Sequence, residues 1–130
     1  MIAVGNVTRN RVESPHYPDT YCDVIKQGPI RESWKTRKDP TLPKSERIYF
    51  PKRDRCQFSW YCDGKSDIVP TQDVNIHDIA KAIAFKIMYG GFYDNTGGST
   101  HYHAHYVSPE WATQMEKTVV IGDHIFYKFP

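Results

Sequence analysis

Long hydrophobic runs are missing from this sequence of 130 residues. A membrane-spanning helix needs about 20 consecutive apolar residues, and no stretch approaches that length. The opening residues, MIAVGNVTRNRVES, have neither the basic start nor the apolar segment of a secretory signal peptide. The sequence therefore predicts neither a membrane span nor a signal peptide, and membranes are not among the expected partners.

Cysteine is scarce as well, since the chain holds only Cys22, Cys56 and Cys62. An odd number without metal-type spacing is typical of reduced, structural thiols. A bridge from Cys22 to Cys56 or to Cys62 stays open for a protein that works outside the cytoplasm. The zinc signatures HExxH and paired CxxC are both missing. We therefore expect no metal site and no cofactor.

Neither sign of charge dominates, because 17 Lys and Arg face 15 Asp and Glu. The distribution is uneven, with ten basic and four acidic residues between Lys26 and Arg55. Such a stretch is either a solvated loop or a surface that attracts an anionic polymer. It also carries Trp34, Tyr49 and Phe50, which could stack on nucleic-acid bases. No recognised nucleic-acid-binding module accompanies them and the net charge is only +2, so nucleic acid is not an expected partner.

The length of the chain fits one domain. Hydrophobic residues make up 39 % and charged residues 25 %, which is ordinary for a globular protein. The aromatic share of 14 % is high, and Tyr and Trp suit cores, interfaces and sugar-binding clefts alike. We expect a single domain over residues 1–130. A proline-rich basic insertion at about 28–55 is expected to lack regular structure, apart from one short strand at RIYF.

Apolar spacing predicts two main helices. One covers Ile2 to Val12, and the other covers Asn75 to Tyr89. In the second helix, isoleucines recur at intervals of three and four residues, so we expect it to be well buried. Asn75 with Asp78 resembles a capping pair, and Gly90-Gly91 predicts where the helix ends.

Alternating apolar and polar positions predict strands. In Thr100–Val107, the alternation places His101, His103 and His105 on one face. The segment SPEWATQM that follows is predicted to be a short helix with Ser108 as its cap and Pro109 at its first position. Two further segments complete the prediction: TVVIGDHIFYKF as two strands around a Gly122-Asp123 turn, and CQFSWYCDG as a strand that ends in a turn.

Three histidines within five residues indicate a functional surface. Two histidines at alternate strand positions can share a zinc ion, with His124 as a remote ligand. The third lies about 13 Å from the first along a strand, too far to share the same ion. Alternatively, imidazole, amide and hydroxyl groups bind sugar hydroxyls in a polysaccharide cleft while Tyr and Trp rings contact the sugar faces.

Several motifs together resemble the cell wall hydrolase family of the SleB/CwlJ type. That family shares a pattern close to TGGATHYHxxYVxPxWA followed by IGxHxFY, and an opening helix close to VAxVxLNRV. The resemblance covers nearly the whole chain in the right order, with only 28–55 as an added insertion. The matching segments here are IAVGNVTRNRV (2–12), SPHYPDTYCDVIKQ (14–27), QFSW (57–60), TGGSTHYHAHYVSPEWA (96–112) and IGDHIFYKF (121–129).

The resemblance implies an α+β, lysozyme-like fold that is mainly helical with a small antiparallel β portion. It implies that the protein is a hydrolase acting on peptidoglycan glycan strands, as a lytic transglycosylase or a muramidase-like enzyme. A role as an endolysin or entry protein of a bacterial virus fits a short single domain. The alternatives are a non-catalytic wall-binding or virion component, with a partner chain, and a zinc-dependent amidase. The residues expected to bind substrate are Gln57, Ser59, Trp60, His101, His103 and His124.

Two of these assignments have structural alternatives. His103 could instead tie its strand to a turn, and Trp60, like Trp111, could pack in the core. The resemblance places the family's catalytic Glu in an EARGE-like segment just before the first helix, and the helix here starts at the beginning of the sequence. No residue of the chain is therefore assigned as the catalytic acid, and we expect residues 1–130 alone to bind wall but to cut it poorly or not at all.

Overall fold

A computed structural model describes residues 2–66, 68 and 70–130 of the chain. It divides into two compact units, the first formed by residues 1–24 with 69–130 and the second by residues 25–68. In the described part of the chain, no helix is long and apolar enough to cross a membrane. The helices are α1 (Ile2–Glu13), α2 (Tyr21–Ile25), α3 (Trp34–Arg37) and α4 (Val74–Met88), and the strands are β1 (Ile30–Glu32), β2 (Tyr49–Pro51), β3 (His101–Ala104), β4 (Glu116–Ile121) and β5 (His124–Lys128). Short 3₁₀ helices cover Lys44–Glu46, Ser59–Cys62, Thr71–Asp73 and Glu110–Gln114.

The core of the first unit forms where α1 packs on the β3–β5–β4 sheet. Ala3 and Val7 of α1 and Phe126 of β5 form a buried cluster. Tyr102, Val119 and Ile121 pack against that cluster from the sheet. The helix predicted for Ile2 to Val12 is confirmed, with one further residue at its end.

β5 is the central strand of this sheet, between β3 and β4. β4 and β5 are joined through Gly122, whose φ of +56° suits the tight turn. The two strands predicted around this turn are confirmed. β4 carries a bulge at Thr118, because Lys117 pairs with Tyr127 whereas Val119 pairs with Phe126, the next residue along β5.

The third histidine of the HYHAH segment lies outside the sheet, contrary to the prediction. β3 ends at Ala104 opposite His124, and His105 belongs to the turn that follows. Its backbone N–H donates to the carbonyl oxygen of Asp123 at 2.8 Å, which closes the sheet at that corner. The helix predicted for SPEWATQM is a 3₁₀ helix whose cap is Pro109 instead of Ser108.

The bounds predicted for α4 are nearly right, but its predicted burial is wrong. Ile87 alone among the described residues of α4 is buried. It lies against Gly5 of α1, where a Cβ atom would collide with its side chain. The helix thus meets α1 along one edge only. Much of its apolar face is left exposed, with Ile76, Ile79, Phe85 and Met88 between 46 % and 64 % accessible.

The N-terminal cap of α4 differs from the prediction, whereas its C-terminal end agrees with it. Its N-terminal cap is Asp73, so the predicted Asn75 lies inside the helix. At the C-terminal end, Gly90 has a φ of +77°, and the N–H of Gly91 donates to the Lys86 carbonyl oxygen at 2.6 Å. The two glycines therefore end the helix as predicted.

The strand predicted at RIYF is present as β2 at Tyr49–Pro51, and the basic insertion also contains regular structure that its sequence did not indicate. β1 pairs with β2 as an antiparallel hairpin, and α3 lies between them in sequence. Arg47 Nη1 donates to both oxygens of Glu32, at 3.1 and 3.2 Å, and its Nη2 donates to the Asp39 carbonyl oxygen at 3.0 Å. These hydrogen bonds of the half-buried Arg47 guanidinium hold the insertion together. The proline content and the lack of periodicity gave no indication of them.

The segment CQFSWYCDG is not the predicted strand. Cys56 and Cys62 form a disulfide with their Cα atoms 6.1 Å apart, whereas six residues of strand would span about 20 Å. The bridge closes the segment into a loop in which Ser59–Cys62 is a 3₁₀ helix. The expectation of reduced thiols is wrong for this pair, and among the described residues Cys22 is the free, exposed thiol.

Candidate functional site

The glycine-rich segment before β3 is fastened to α1 by one carboxylate. Asp94 Oδ1 accepts hydrogen bonds from the N–H and the hydroxyl of Thr96, at 2.9 and 2.6 Å. Its Oδ2 accepts from the N–H of Gly98 at 2.9 Å and from Asn10 Nδ2 of α1 at 3.0 Å. Asn10 also donates to the carbonyl oxygen of Ser99 at 2.9 Å, so α1 and this loop together fix where β3 begins.

This hydrogen bonding determines the charge state of Asp94. Partial burial of the carboxylate raises its pKa, but the hydrogen bonds from Thr96, Asn10 and Gly98 together outweigh burial, and the pKa lies below the usual 3.8. Asp94 is therefore charged at neutral pH and acts as an acceptor only. It organises the loop and is unsuited to donating a proton.

His101 lies on β3 within a cluster of aromatic rings. Its ring centroid is 5.1 Å from that of Trp111 and 5.4 Å from that of Phe129. The hydroxyl of Thr100 lies 2.9 Å from His101 Nδ1. Burial, with a smaller contribution from the charge of Arg11, lowers the pKa of His101 below its usual 6.5. His101 is therefore neutral at physiological pH and packs like an aromatic residue.

His103 is held by hydrogen bonds at both ring nitrogens. Nδ1 lies 2.8 Å from the carbonyl oxygen of Ala104, and Nε2 lies 2.9 Å from the hydroxyl of Tyr127. A carbonyl oxygen can only accept, so in the neutral ring Nδ1 carries the proton and Nε2 accepts from the Tyr127 hydroxyl. The two rings also stack, with centroids 5.3 Å apart.

A cleft of about 520 Å³ opens beside this stacked pair. Its volume lies within the range of about 300–1,000 Å³ that is typical of ligand-binding sites. The lining combines apolar surface with imidazole, phenol, hydroxyl and carboxylate groups, a mixture that suits a sugar. The lining residues are His103, His105, Val107, Ser108, Pro109, Glu110, Ala112, Thr113, Ile125 and Tyr127.

Comparison with known proteins identifies the family. The sequence model of the cell wall hydrolases matches residues 1–127, nearly the full length of the chain. The chain belongs to the cell wall hydrolase family. The resemblance inferred from the sequence motifs is confirmed.

Solved structures agree with this family assignment at the level of the fold. The catalytic domain of the germination-specific lytic transglycosylase SleB from Bacillus anthracis is similar over 98 % of this chain and 76 % of that chain, with a TM-score of 0.60 at 23 % identity. The catalytic domain of the Bacillus cereus SleB protein covers 98 % of this chain and 73 % of its own, with a TM-score of 0.58 at 23 % identity. No curated protein matches the sequence. The predicted lysozyme-like α+β fold is confirmed.

In this cell wall hydrolase, the three histidines expected to share a cleft do not all line it. His103 lines the cleft, whereas His101 lies behind Trp111 in the aromatic cluster. His124 pairs with Ala104, so it faces the opposite side of the sheet from His103. There its ring meets that of Tyr102 at 5.4 Å between centroids. The sugar-binding roles of these histidines stay predictions.

The other expected contacts of this cell wall hydrolase, Gln57, Ser59 and Trp60, belong to the second unit. All three side chains are exposed, and Trp60 is 50 % accessible. The core-packing alternative for Trp60 therefore does not hold. By contrast, the half-buried Trp111 packs on His101, His103 and Tyr127, as its structural alternative predicts.

A metal site has no support in the donor geometry. Within residues 2–66, 68 and 70–130, no group of three or more His, Cys, Asp or Glu side chains could hold a metal ion. A zinc ion at His103 Nε2 would also have to displace the hydroxyl of Tyr127.

Sequence reasoning did not identify two residues that position the site, Tyr127 and Asp94. Tyr127 could have been found, because the alternation in HIFYK puts it on the same face as Ile125. No sequence pattern indicated the role of Asp94, because its partners Asn10 and Gly98 come together only in the folded chain.

Proposed function

We propose that this cell wall hydrolase cleaves the glycan strand of peptidoglycan, as a lytic transglycosylase or a muramidase-like enzyme. The observation that carries the proposal is a sugar-sized cleft, with mixed apolar and hydrogen-bonding walls, in a chain that the family matches over residues 1–127. A related structure is described as a lytic transglycosylase, which supports the choice of the glycan strand over the peptide stem.

The stacked pair in the cleft is suited to hold a sugar hydroxyl. Tyr127 commits its proton to His103 Nε2, so the phenol oxygen has lone pairs left to accept from a sugar. Val107, Pro109 and Ile125 supply apolar surface for the C–H faces of a sugar ring. His103 thus contributes by orienting Tyr127 as well as through its own position on the wall.

We retain the six predicted substrate-binding residues as proposed contributors to substrate binding, with different support for each group. Trp60 offers an exposed ring face on the second unit, and Gln57 and Ser59 are exposed beside it in sequence. His103 lines the cleft. His101 and His124 would act from behind it, by holding the rings and strands that shape its wall.

The proposed chemistry is an intramolecular displacement at the anomeric carbon. A carboxylic acid within about 3 Å protonates the glycosidic oxygen as the bond from C1 breaks. The 6-hydroxyl of the same sugar then bonds to C1 and gives up its proton, which leaves a 1,6-anhydro ring without consuming water. In a muramidase-like enzyme, water takes the place of the 6-hydroxyl and leaves a reducing end.

Product analysis of purified peptidoglycan tests the proposal. Fragments that end in anhydromuramic acid are expected for a lytic transglycosylase, and reducing muramic ends for a muramidase-like enzyme. The release of peptide stems, abolished by a zinc chelator, would instead identify an amidase and contradict the proposal. Wall binding without any released fragment, both by residues 1–130 and by a variant that carries an EARGE-like segment before α1, would identify a binding or virion component and also contradict it.

A further inference from the structure

The second unit contains a groove of about 340 Å³ that is lined by cations and aromatic rings. Arg31, Arg53 and Lys65 provide the positive charge, and Phe50 and Tyr61 provide the rings. Among the described residues that line it, none carries a carboxylate. A groove of this composition is suited to an oxyanion that is attached to an organic backbone.

The β1–β2 hairpin positions the first cation. Arg31 pairs with Phe50 across the hairpin, so both side chains lie on the same face. The Arg31 guanidinium lies over the Phe50 ring, 5.6 Å from its centroid. A guanidinium stacked on a ring keeps its N–H groups in its own plane, where two of them can donate together to a phosphate.

A glycine positions the second cation. A Cβ atom on Gly64 would lie 3.0 to 3.1 Å from Cζ, Nε and Nη2 of Arg53. The guanidinium of Arg53 therefore packs directly against the backbone of Gly64, where any larger residue would place its own side chain. Arg53 pairs with Asp54, but the pair is weak because Nε and Oδ2 are 3.8 Å apart and the two side chains are 76 % and 69 % exposed. Asp63 accepts from the backbone N–H of Lys65 at 2.9 Å.

The disulfide ties together the two chain segments that build the groove. Cys62 lines the groove and is bonded to Cys56. The carbonyl oxygen of Cys62 also accepts from the N–H of Asp54 at 2.9 Å. The segments that carry Arg53 and Tyr61 are thus held together before any ligand arrives, which lowers the entropy cost of binding.

The charge of the second unit favours a polyanion. Residues 25–68 contain eleven Lys and Arg against six Asp and Glu, whereas the whole chain has a net charge of +2. We propose that the groove binds the phosphodiester groups of an anionic, polyol-phosphate wall polymer, separately from the glycan cleft. The choice of a wall polymer over another polyanion rests on the proposed function, which brings the protein to the cell wall.

Titration of the full chain with purified poly(glycerol phosphate) in about 0.15 M salt tests the proposal. Arg31→Gln combined with Arg53→Gln should bind at least about tenfold more weakly, because two charge-assisted contacts are lost. Lys35→Gln combined with Lys44→Gln is the matched control, since it removes the same charge from exposed positions outside the groove. It should lose less than about twofold. Phe50→Leu, which leaves the charge unchanged, should lose about threefold.

Three results would overturn the proposal: equal losses in the two double variants, unchanged binding by the groove variant, or equally tight binding of a thymidine oligonucleotide. Circular dichroism and thermal melting establish that each variant is folded. Fragment release from polymer-free peptidoglycan, measured on the same preparations, reports on the glycan activity alone. Polymer binding without fragment release, by residues 1–130 and by the variant with the EARGE-like segment alike, would overturn the proposed function, and fragment release without polymer binding would overturn the groove.

Discussion

Replacing His103 by Ala should lower the free energy of unfolding far more than replacing His105 by Ala. The two imidazoles are two residues apart and both line the cleft, so the pair forms a matched comparison. His103 uses both ring nitrogens within the protein and stacks on Tyr127. The His105 side chain is 59 % exposed, and its Nδ1 lies 3.3 Å from the Asp123 carbonyl oxygen.

The magnitude follows from the contacts that each substitution removes. His103→Ala loses two hydrogen bonds, worth about 1 kcal/mol each, and leaves the hydroxyl of the buried residue Tyr127 without its acceptor. The ring contacts with Tyr127 and Trp111 are worth about 0.5–1.5 kcal/mol per pair. We expect a loss of about 2–4 kcal/mol for His103→Ala and less than about 0.5 kcal/mol for His105→Ala.

Urea unfolding at pH 7, followed by tryptophan fluorescence, measures both losses. A double-mutant cycle with Tyr127→Phe adds the coupling between the two rings, which should be about 1 kcal/mol. Equal losses for the two histidine variants would refute the reasoning. So would additivity of His103→Ala and Tyr127→Phe within about 0.3 kcal/mol, because the hydrogen bond between them would then have no measurable energy.

Three further predictions concern charge and covalent closure in the fold. Burial lowers the pKa of His101 below 6.5. As the pH falls through 6.5, the unfolded chain therefore takes up the proton first, and stability declines until the folded pKa is reached. His101→Gln should make the melting temperature depend less on pH between pH 7 and pH 5, and an unchanged pH dependence would exclude His101 as its source. Asp94→Asn should lower the free energy of unfolding by about 2–3 kcal/mol at pH 7. Because the folded pKa of Asp94 is depressed, this difference from the parent should shrink as the pH falls below 3.8. A difference that persists at pH 2 would mean that the charge of Asp94 does not cause the loss of stability. Cys56→Ser combined with Cys62→Ser should cost about 2 kcal/mol, the chain-entropy value for so short a loop, and a reductant should destabilise the parent but leave the variant unchanged in urea unfolding.

The parts of the fold that the sequence predicted are those specified by neighbouring residues. The helix at 2–13 and the hairpin around Gly122 follow from apolar spacing and from a glycine at a positive φ. The bounds of α4 follow in the same way from its isoleucines and from Gly90. Its burial does not, because periodicity shows which face is apolar but not whether another element covers that face.

The parts that sequence reasoning missed depend on contacts that local periodicity does not show. The Cys56–Cys62 bridge requires a tight loop where alternation indicated a strand. Asp94 is 84 residues from Asn10 along the chain, and their hydrogen bond exists only once α1 lies beside the loop. The placement of His124 on the far side of the sheet from His103 depends on the pairing register of β3 and β5, which composition does not encode.

The extra residue in β4 has a consequence for any redesign of this sheet. Thr118 interrupts the regular ladder, and its hydroxyl hydrogen-bonds the hydroxyl of Ser99 in the glycine-rich segment and the carbonyl oxygen of Phe126 at 3.2 Å. Deleting Thr118 would give an idealised hairpin with uninterrupted pairing, and that hairpin would have no side chain at this position to hold Ser99. Removing the bulge would therefore make the sheet more regular but would remove the Thr118–Ser99 hydrogen bond that helps to hold the loop before β3. The strand that carries the cleft wall would then be less well positioned.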